Sequence, residues 1–579
     1  MRSAPNCLLH RVRAFCLAGA AFAMPLQAQT APSRDELRGV TQTQAPAAPR
    51  LDIAGGIERS PCPLADPQYK DITVTIGEAR FNNLKGVNAA DLEPAWKPLA
   101  GTPQPVAALC EIRDAAATIL RNKGYLAAVQ VPTQRIENGL VQFEVLYARV
   151  SAIRARGQTA GAEEKLQAYL GKLTDDEVFN RYEAERYLLL ARDLPGYNVQ
   201  LTLRPAGDTP GDLIGEVTVL RQPYTVDATV QNYAASATGP WGGQLRASFF
   251  GLTGLGDAMT LSFYSTSDFE EQQIAQFAHE FRPGAEGLTI AGQFTYAWTR
   301  PDLGAAAVPG AELEAETLLA SLSADYPLRR SQGASLWLGA GFDLVNQDVE
   351  LIVPISRDRL RVLWSRLRFD AVDLTRRLPA WRAGGELEVR QGLDALGATN
   401  GCLGAACPAG VAPPSRFDGR AGATVIRTRL SGELALGDRL AFAFEPRAQH
   451  AFSPVLAFEE FTTGNYTVGR GYEPGTLAGD SGVGLRTELR GPRVPLGSAG
   501  AVQFQPYLFG DAARVWTRGI DDSARLYSAG GGVRGTISDR LNFDATLAVP
   551  LKDAGLLGQR GDVRFLLTLT ARLLPWRTN

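Results

Sequence analysis

Two residues of this sequence have types and surroundings that could form a buried charge pair. Arg470 lies in the stretch Tyr466 to Gly475, whose three glycines and one proline predict a folded-back loop rather than a helix. Asp511 lies on an alternating segment, where it shares one face with Phe509. A planar guanidinium and a carboxylate can form a bidentate pair that fixes a loop to a wall. The alternative is a solvated loop arginine with no relation to Asp511.

Four cysteines lie outside the N-terminal segment described below. Cys402 and Cys407 bracket four residues in a loop rich in Gly and Pro, which suits a local disulfide in an oxidising compartment. Cys62 and Cys110 could form a second pair, although nothing in the sequence fixes that geometry. The chain has only three histidines and none lies at ligand spacing from a cysteine, so no metal site is predicted.

Two short motifs resemble catalytic or cofactor-binding signatures. Gly479 to Gly482 reads Gly-Asp-Ser-Gly, the nucleophile signature of chymotrypsin-like proteases, but neither His279 nor His450 lies in a motif that would supply the base. Gly530 to Gly535 matches G-x-G-x-x-G, yet strand-like alternation follows it where a dinucleotide site needs a helix. We therefore predict no enzyme activity and no cofactor. A net charge of −2 also argues against a nucleic-acid partner.

The N-terminal part of the chain reads as a targeting segment followed by a linker. Three arginines precede the apolar stretch Ala14 to Met24, which predicts a secretory signal peptide over residues 1–28. Residues 29–67 are rich in Ala, Pro, Thr and Gln and predict a linker with one short helix at Ser33 to Arg38.

Two α/β units follow, at residues 68–150 and 151–222. The first predicts a strand, a short helix, a longer helix that begins at Thr102-Pro103 and ends at Gly124, and two strands. The second has the same element order, with Thr174 and Glu177 as a capping box for its second helix. The shared order indicates an internal repeat.

Residues 223–579 contain about sixteen segments that alternate apolar and polar side chains in the way that transmembrane β-strands require. Short turns are predicted on the side of the α/β units, at Arg282–Gly287, Pro327–Gly333 and Leu436–Arg439. Long loops are predicted on the opposite side, at Arg300–Glu312, Asn346–Arg359, Gly392–Gly419, Glu459–Ser481 and Leu551–Asp562. This asymmetry predicts a closed barrel of 16 antiparallel strands in an outer membrane, with Asp511 in its lumen and the Arg470 loop folded inward.

The combination of features resembles the two-partner secretion transporters of the haemolysin/haemagglutinin activator family, in which polypeptide-transport-associated (POTRA) domains precede a barrel. The matching residues are Asn122 to Tyr125, Asn138-Gly139, Leu194 to Gly196, Arg470-Gly471-Tyr472 and Phe509-Gly510-Asp511. Gly469 departs from the valine of the family's loop motif. A helix plugs the barrel in some members, and because Thr41 to Pro49 is a poor helix former, the presence of such a plug stays open here.

The resemblance implies export of a large secreted partner, a haemolysin or adhesin, which POTRA 1 (68–150) and POTRA 2 (151–222) would bind in the periplasm. It implies a loop–lumen lock made by Arg470, Gly471, Tyr472, Phe509 and Asp511. It also implies contact with outer-membrane lipid and insertion by the barrel-assembly machinery. The alternative function is a barrel-assembly factor of the same superfamily. Those factors usually carry more periplasmic repeats than the two seen here.

Overall fold

A computed structural model describes residues 31–39, 61–174, 177–206, 212–302, 312–376, 378–399, 411–496, 502–519, 523–538, 540–554 and 561–575. They form a short helix, two α/β units and a β-barrel. No helix among these residues is both long and apolar enough to cross a bilayer. The signal peptide predicted over residues 1–28 lies outside the described residues.

The first α/β unit packs two helices on a three-stranded sheet. Its elements are β1 Thr73–Thr75, β2 Glu78–Asn82, α2 Ala89–Trp96, β3 Pro103–Pro105, α3 Ala108–Asn122, β4 Ala127–Gln130 and β5 Leu140–Tyr147, where α1 is the earlier helix Arg34–Gly39. The sheet order is β2-β5-β4, and β2, which the sequence analysis did not predict, pairs in parallel with β5. The helix predicted to begin at Thr102-Pro103 is wrong at that end. A residue that precedes a proline disfavours helical dihedrals, and both Thr102 and Gln104 precede a proline. This stretch therefore forms a strand that pairs with β1.

The second α/β unit repeats the arrangement with the sheet order β6-β8-β7. Its elements are β6 Arg149–Gly157, α4 Glu163–Gly171, α5 Arg181–Arg192, β7 Tyr197–Pro205 and β8 Asp212–Arg221. The predicted capping box at Thr174 is wrong. Asn180 caps α5 by accepting a hydrogen bond from the backbone N–H of Tyr182 (2.9 Å), while the Thr174 hydroxyl donates to the carbonyl of Gly171 at the end of α4 (2.8 Å).

The barrel is closed and has sixteen antiparallel strands, as predicted. They are β9 Tyr224–Gln231, β10 Gly242–Phe250, β11 Ala258–Thr266, β12 Gln272–Phe281, β13 Thr289–Thr299, β14 Glu314–Arg330, β15 Ala334–Glu350, β16 Pro354–Val372, β17 Trp381–Gly392, β18 Thr424–Leu436, β19 Leu440–Ala451, β22 Ser481–Arg490 continued by β23 Val494–Leu496, β24 Val502–Trp516, β25 Ser523–Ile537, β26 Leu541–Pro550 and β27 Arg564–Leu574. The strands β20 Phe461–Thr462 and β21 Ala478–Gly479 pair with each other in a separate two-stranded sheet and are not part of the barrel wall. β27 pairs with β9 and closes the barrel.

The side chains of the wall are distributed in the opposite sense to those of a soluble protein. Large apolar residues such as Leu245, Phe263 and Leu322 are exposed on the outside, whereas charged residues such as Glu388 and Arg390 are buried inside. An apolar outer surface of this extent is stable against lipid and unstable against water.

One predicted long loop is wrong. Between β15 and β16 the strands continue to Glu350 and from Pro354, and Asn346 pairs directly with Arg359, so the connection is only a tight turn. The connection between β19 and β22, residues 452–480, is long as predicted. We call it the lumen loop.

The second α/β unit is fastened to one end of the barrel, which we call the near end. Arg330 at the end of β14 donates two hydrogen bonds to Asp193 (2.7 and 2.8 Å), and Arg186 on α5 donates to the carbonyl of Pro327 (3.0 Å). The ammonium of Lys165 donates to the carbonyl of Gly284 in the turn between β12 and β13 (2.9 Å). The lumen loop starts and ends at the opposite, far end.

Candidate functional site

The lumen loop folds back into the barrel instead of extending away from it. Phe458, Phe461, Val468 and Tyr472 are all buried. Tight bends at Gly464 (φ 124°) and Gly469 (φ 111°) allow this path. Residues other than glycine rarely adopt such positive φ angles. The chain between these bends is therefore placed against the inner wall.

Arg470 is held by the wall on two sides. Its Nε and Nη2 donate to the two oxygens of Asp511 (3.0 and 2.7 Å), and its backbone N–H also donates to Asp511 (2.9 Å). Its Nη1 donates to Glu488 on β22 (2.7 Å). Arg470 and Asp511 are each only 4% exposed. The structure thus brings together the two residues that the sequence analysis paired.

Phe509 lies directly beneath the guanidinium, with Cζ of Arg470 3.7 Å from the centre of its ring. The ring face adds an attraction for the cation that is strongest where water is excluded. Because Phe509 and Asp511 are two residues apart on β24, one strand supplies both the ring and the carboxylate.

Gly471 and Tyr472 fix the next part of the loop to β25 and β26. A Cβ on Gly471 would lie 2.8 Å from the backbone nitrogen of Pro550 and 2.9 Å from the carbonyl carbon of Val549, so only glycine fits this approach. The hydroxyl of Tyr472 lies 2.7 Å from the carbonyl oxygen of Lys552 and 2.9 Å from that of Tyr527, and these two oxygens are the acceptors for its one proton. All five residues named for the lock therefore lie in one contact region.

Gly469, where the family motif has valine, occupies a position that a valine could not take without strain. Its φ is 111°, and a Cβ there would meet the side chain of Leu526 at 2.7 Å. The neighbouring Val468 is fully buried in a cluster with Tyr472 and Leu526, so an apolar contact exists one position earlier in the chain.

The helix α1 also lies inside the barrel. Asp35 accepts hydrogen bonds from Arg429 on β18 (2.5 Å) and Arg447 on β19 (2.6 Å), and Arg34 donates to Glu388 on β17 (3.0 Å). Leu37 is buried against wall residues that include Tyr264 and Ile274. The sequence analysis placed this helix correctly but did not predict that it enters the lumen, and Thr41 to Pro49 lie outside the described residues.

Arg390 on β17 links the base of the lumen loop to the wall beside α1. It donates two hydrogen bonds to Glu459 of the loop (3.0 and 2.8 Å) and one to Asp343 on β15 (2.9 Å). It also contacts Glu388, the partner of Arg34 (3.4 Å). The loop and α1 are thus held by one connected set of charges.

Two functional residues escaped the sequence analysis. Glu488 accepts from Arg470 and also from Arg490 and Arg534, at distances of 2.7 to 2.9 Å. It lies on an alternating strand two positions before Arg490, so a signal for a lumen-facing charge was present. Arg390 lies on such a strand too, but nothing in the sequence identified Glu459 as its partner.

Of the cysteines, Cys62 and Cys110 form a disulfide that joins the start of the first α/β unit to α3, with their Cα atoms 5.9 Å apart. Cys402 and Cys407 lie outside the described residues. Among the described residues no group of three or more His, Cys, Asp or Glu side chains is placed to hold a metal ion.

Comparisons with known proteins agree with this architecture. The profile of the family described as "Haemolysin secretion/activation protein ShlB/FhaC/HecB" matches residues 217–535. The structure of CdiB from Escherichia coli is similar over 96% of this chain and 98% of its own, with a TM-score of 0.73 and 17% identity. That of CdiB from Acinetobacter baumannii covers the same shares, with a TM-score of 0.65 and 17% identity. At this identity the structures show the fold. No curated protein sequence matches significantly.

Proposed function

The chain belongs to the haemolysin secretion/activation family, and on that premise we propose that it recognises one secreted exoprotein through its POTRA-like units and passes it through the barrel. Members of this family are outer-membrane transporters of the two-partner secretion type. The near end of the barrel is therefore periplasmic and the far end extracellular.

The observation that carries the proposal is the way the lumen is filled. The lumen loop and α1 are both held by ion pairs to a charged wall, through Arg470–Asp511 and Asp35–Arg447. Charged groups that leave such a site regain hydration, so their removal into water costs less than exposing an apolar core of the same size. A lumen filled in this way is suited to repeated opening and closing for an extended chain.

Recognition of the exoprotein is assigned to the sheet edges of the POTRA-like units. In the second unit β7 has β8 as its strand partner and lies at the edge of the sheet order β6-β8-β7. An extended segment of an unfolded partner can add to such an edge through backbone hydrogen bonds. Because this unit is fastened to the barrel through Arg330 and Asp193, a segment bound there is already close to the lumen entrance.

The test is co-expression with a candidate exoprotein encoded beside this gene, with the exoprotein measured in the culture medium. We expect secretion by the wild-type transporter and its loss when residues 68–150 are deleted. Heat-modifiable migration of the barrel shows whether the deletion variant is assembled. Normal secretion by an assembled deletion variant would refute the recognition role of the first unit. Failure of the wild type to secrete any candidate, together with insertion of other barrels, would favour the assembly function instead.

A further inference from the structure

The ladder that closes the barrel is shorter than the two ladders beside it. The strands β9 and β27 pair at six positions, from Gln231–Thr568 to Val226–Leu574, with an irregularity between Arg572 and Leu574. The ladders β9–β10 and β26–β27 each pair at eight positions. Each lost pair removes backbone hydrogen bonds that lipid cannot replace. The β9–β27 seam is therefore weaker than the ladders on either side of it.

At the extracellular end of the seam a side chain replaces the missing backbone partner. The amide of Asn232 donates to the carbonyl of Phe565 (2.7 Å) and accepts from the backbone N–H of Leu567 (2.7 Å). The backbone N–H of Asn232 donates to the carbonyl of Leu567 (3.2 Å). Asn232 therefore extends the ladder past the last residue of β9 and acts as a clip.

The lumen loop contacts the chain on the β9 side of this clip at three points. Asn465 donates its amide to the carbonyl of Tyr233 (2.6 Å), and the hydroxyl of Tyr466 accepts from Gln231 (3.2 Å). Glu473 accepts from both the backbone N–H (3.1 Å) and the hydroxyl of Ser236.

The same loop segment contacts the wall on the other side of the seam. Gly471 lies against Pro550 at the end of β26, and the hydroxyl of Tyr472 bonds the carbonyl of Lys552 just beyond it (2.7 Å). The carboxylate of Glu473 also lies 3.8 Å from the guanidinium of Arg564, the first residue of β27. Residues 465–473 therefore span the seam from the inside.

We propose that the lumen loop has a second role as a brace, in which Asn465, Tyr466 and Glu473 hold the extracellular half of the β9–β27 seam closed. Asn232 closes the same end of the seam through its own hydrogen bonds to β27. When the loop leaves the lumen, the six-pair ladder loses its support, and the extracellular half of the seam becomes free to part.

Hydrogen–deuterium exchange of the full-length protein in lipid nanodiscs tests this without any exoprotein. The brace variant combines Asn465→Ala with Glu473→Gln, which remove the amide contact and the charge without adding bulk. We expect amide exchange in peptides covering residues 224–232 and 564–570 to rise by about tenfold or more, because local opening governs exchange of paired amides. The ladder β12–β13 should exchange at the wild-type rate in the same sample.

Three further variants make the result decisive. Glu445→Gln, a carboxylate on β19 that does not contact the seam, should leave exchange at the seam unchanged. Arg470→Ala releases the loop by removing its contact with Asp511 and should raise seam exchange as the brace variant does. A disulfide between cysteines at Thr229 and Thr570, register partners whose hydroxyls lie 3.1 Å apart, should restore protection in the brace variant.

Wild-type exchange at the seam in both the brace variant and Arg470→Ala would overturn the proposal, provided that loop peptides show that Arg470→Ala has released the loop. An equal rise at β12–β13 would also overturn it, because that result would show general loosening of the barrel. Failure to secrete an exoprotein has no bearing on either outcome, so this proposal and the proposed export function fail separately.

Discussion

Replacement of Arg470 by alanine is the sharpest test of the lumen loop. The substitution removes the guanidinium that pairs with both oxygens of Asp511 and with Glu488. The Asp511 side chain has no exposed surface, and its remaining side-chain partner is the hydroxyl of Ser528 at 3.4 Å. The variant therefore leaves a buried carboxylate without its cation.

The size of the effect follows from this burial. Removing one partner of a buried ion pair costs about 3–5 kcal/mol, most of it from the charge left behind. At about 1.4 kcal/mol for each factor of ten, the docked state of the loop becomes roughly 100- to 4,000-fold less favoured. Arg470→Lys keeps the charge but loses the fork geometry that reaches two acceptors, so we expect an intermediate effect.

The assay is hydrogen–deuterium exchange of loop peptides within residues 463–477, together with secretion of the exoprotein. We expect faster exchange in the loop, an assembled heat-modifiable barrel and reduced secretion. Arg300→Ala is the matched control, because Arg300 forms a surface pair with Glu314 at 62% and 46% side-chain exposure. Such pairs contribute about 0–1 kcal/mol, so the lumen loop of the Arg300→Ala variant should exchange like that of the wild type.

A second substitution tests whether the effect of Arg470→Ala comes from the unpaired charge of Asp511. If the charge left on Asp511 causes the loss, then Asp511→Asn in the Arg470→Ala background should recover part of the loop's protection. Wild-type exchange and normal secretion by Arg470→Ala would refute the reasoning, because the loop would then be held by its other contacts alone.

Three other substitutions test neighbouring features of the structure. Gly471→Ala should undock the loop at a cost of about 1–3 kcal/mol, because its Cβ would press on the backbone of β26, whereas Gly292→Ala on β13 has nothing within 4 Å and should behave like the wild type in the same exchange experiment. Asp35→Ala should leave two lumen arginines unpaired and release α1, and planar-bilayer recordings should then show a larger mean conductance. Replacing Cys62 and Cys110 by serine should destabilise the first α/β unit by up to about 4 kcal/mol, since the disulfide closes a separation of 48 residues, and exchange at residues 61–70 should rise accordingly.

The parts of the fold that could be predicted are those with a repeating local signal. Period-two alternation identified the barrel strands because each residue of such a strand faces either lipid or lumen. The same regularity put Phe509 and Asp511 on one face. The helix start at Thr102-Pro103 was mispredicted because a proline at the first helical position favours a helix only where the next residues can follow it, and Pro105 keeps Gln104 extended.

The partners inside the lumen could be predicted only in part. Alternation and the glycine-rich loop led from Arg470 to Asp511, but Glu488 and Glu459 become partners through strand order and stagger, which alternation does not specify. The length of β15 and β16 was missed for a related reason. Polar residues such as Asn346 and Arg359 resemble loop residues, yet in the structure they are a register pair between two long strands. Entry of α1 into the lumen depends on charges more than 350 residues away in the chain, such as that of Glu388.

The charges around Arg390 have a consequence for how the pore opens. Glu388 holds Arg34 of α1, and the adjacent Arg390 holds Glu459 of the lumen loop, so departure of either insert leaves an imbalance beside the other. Thermodynamic linkage is reciprocal, so the departure of α1 changes the free energy of loop departure by the same amount as the departure of the loop changes that of α1. We therefore expect α1 and the lumen loop to leave the lumen together. The state in which only one of them has left should be the least populated state of the barrel.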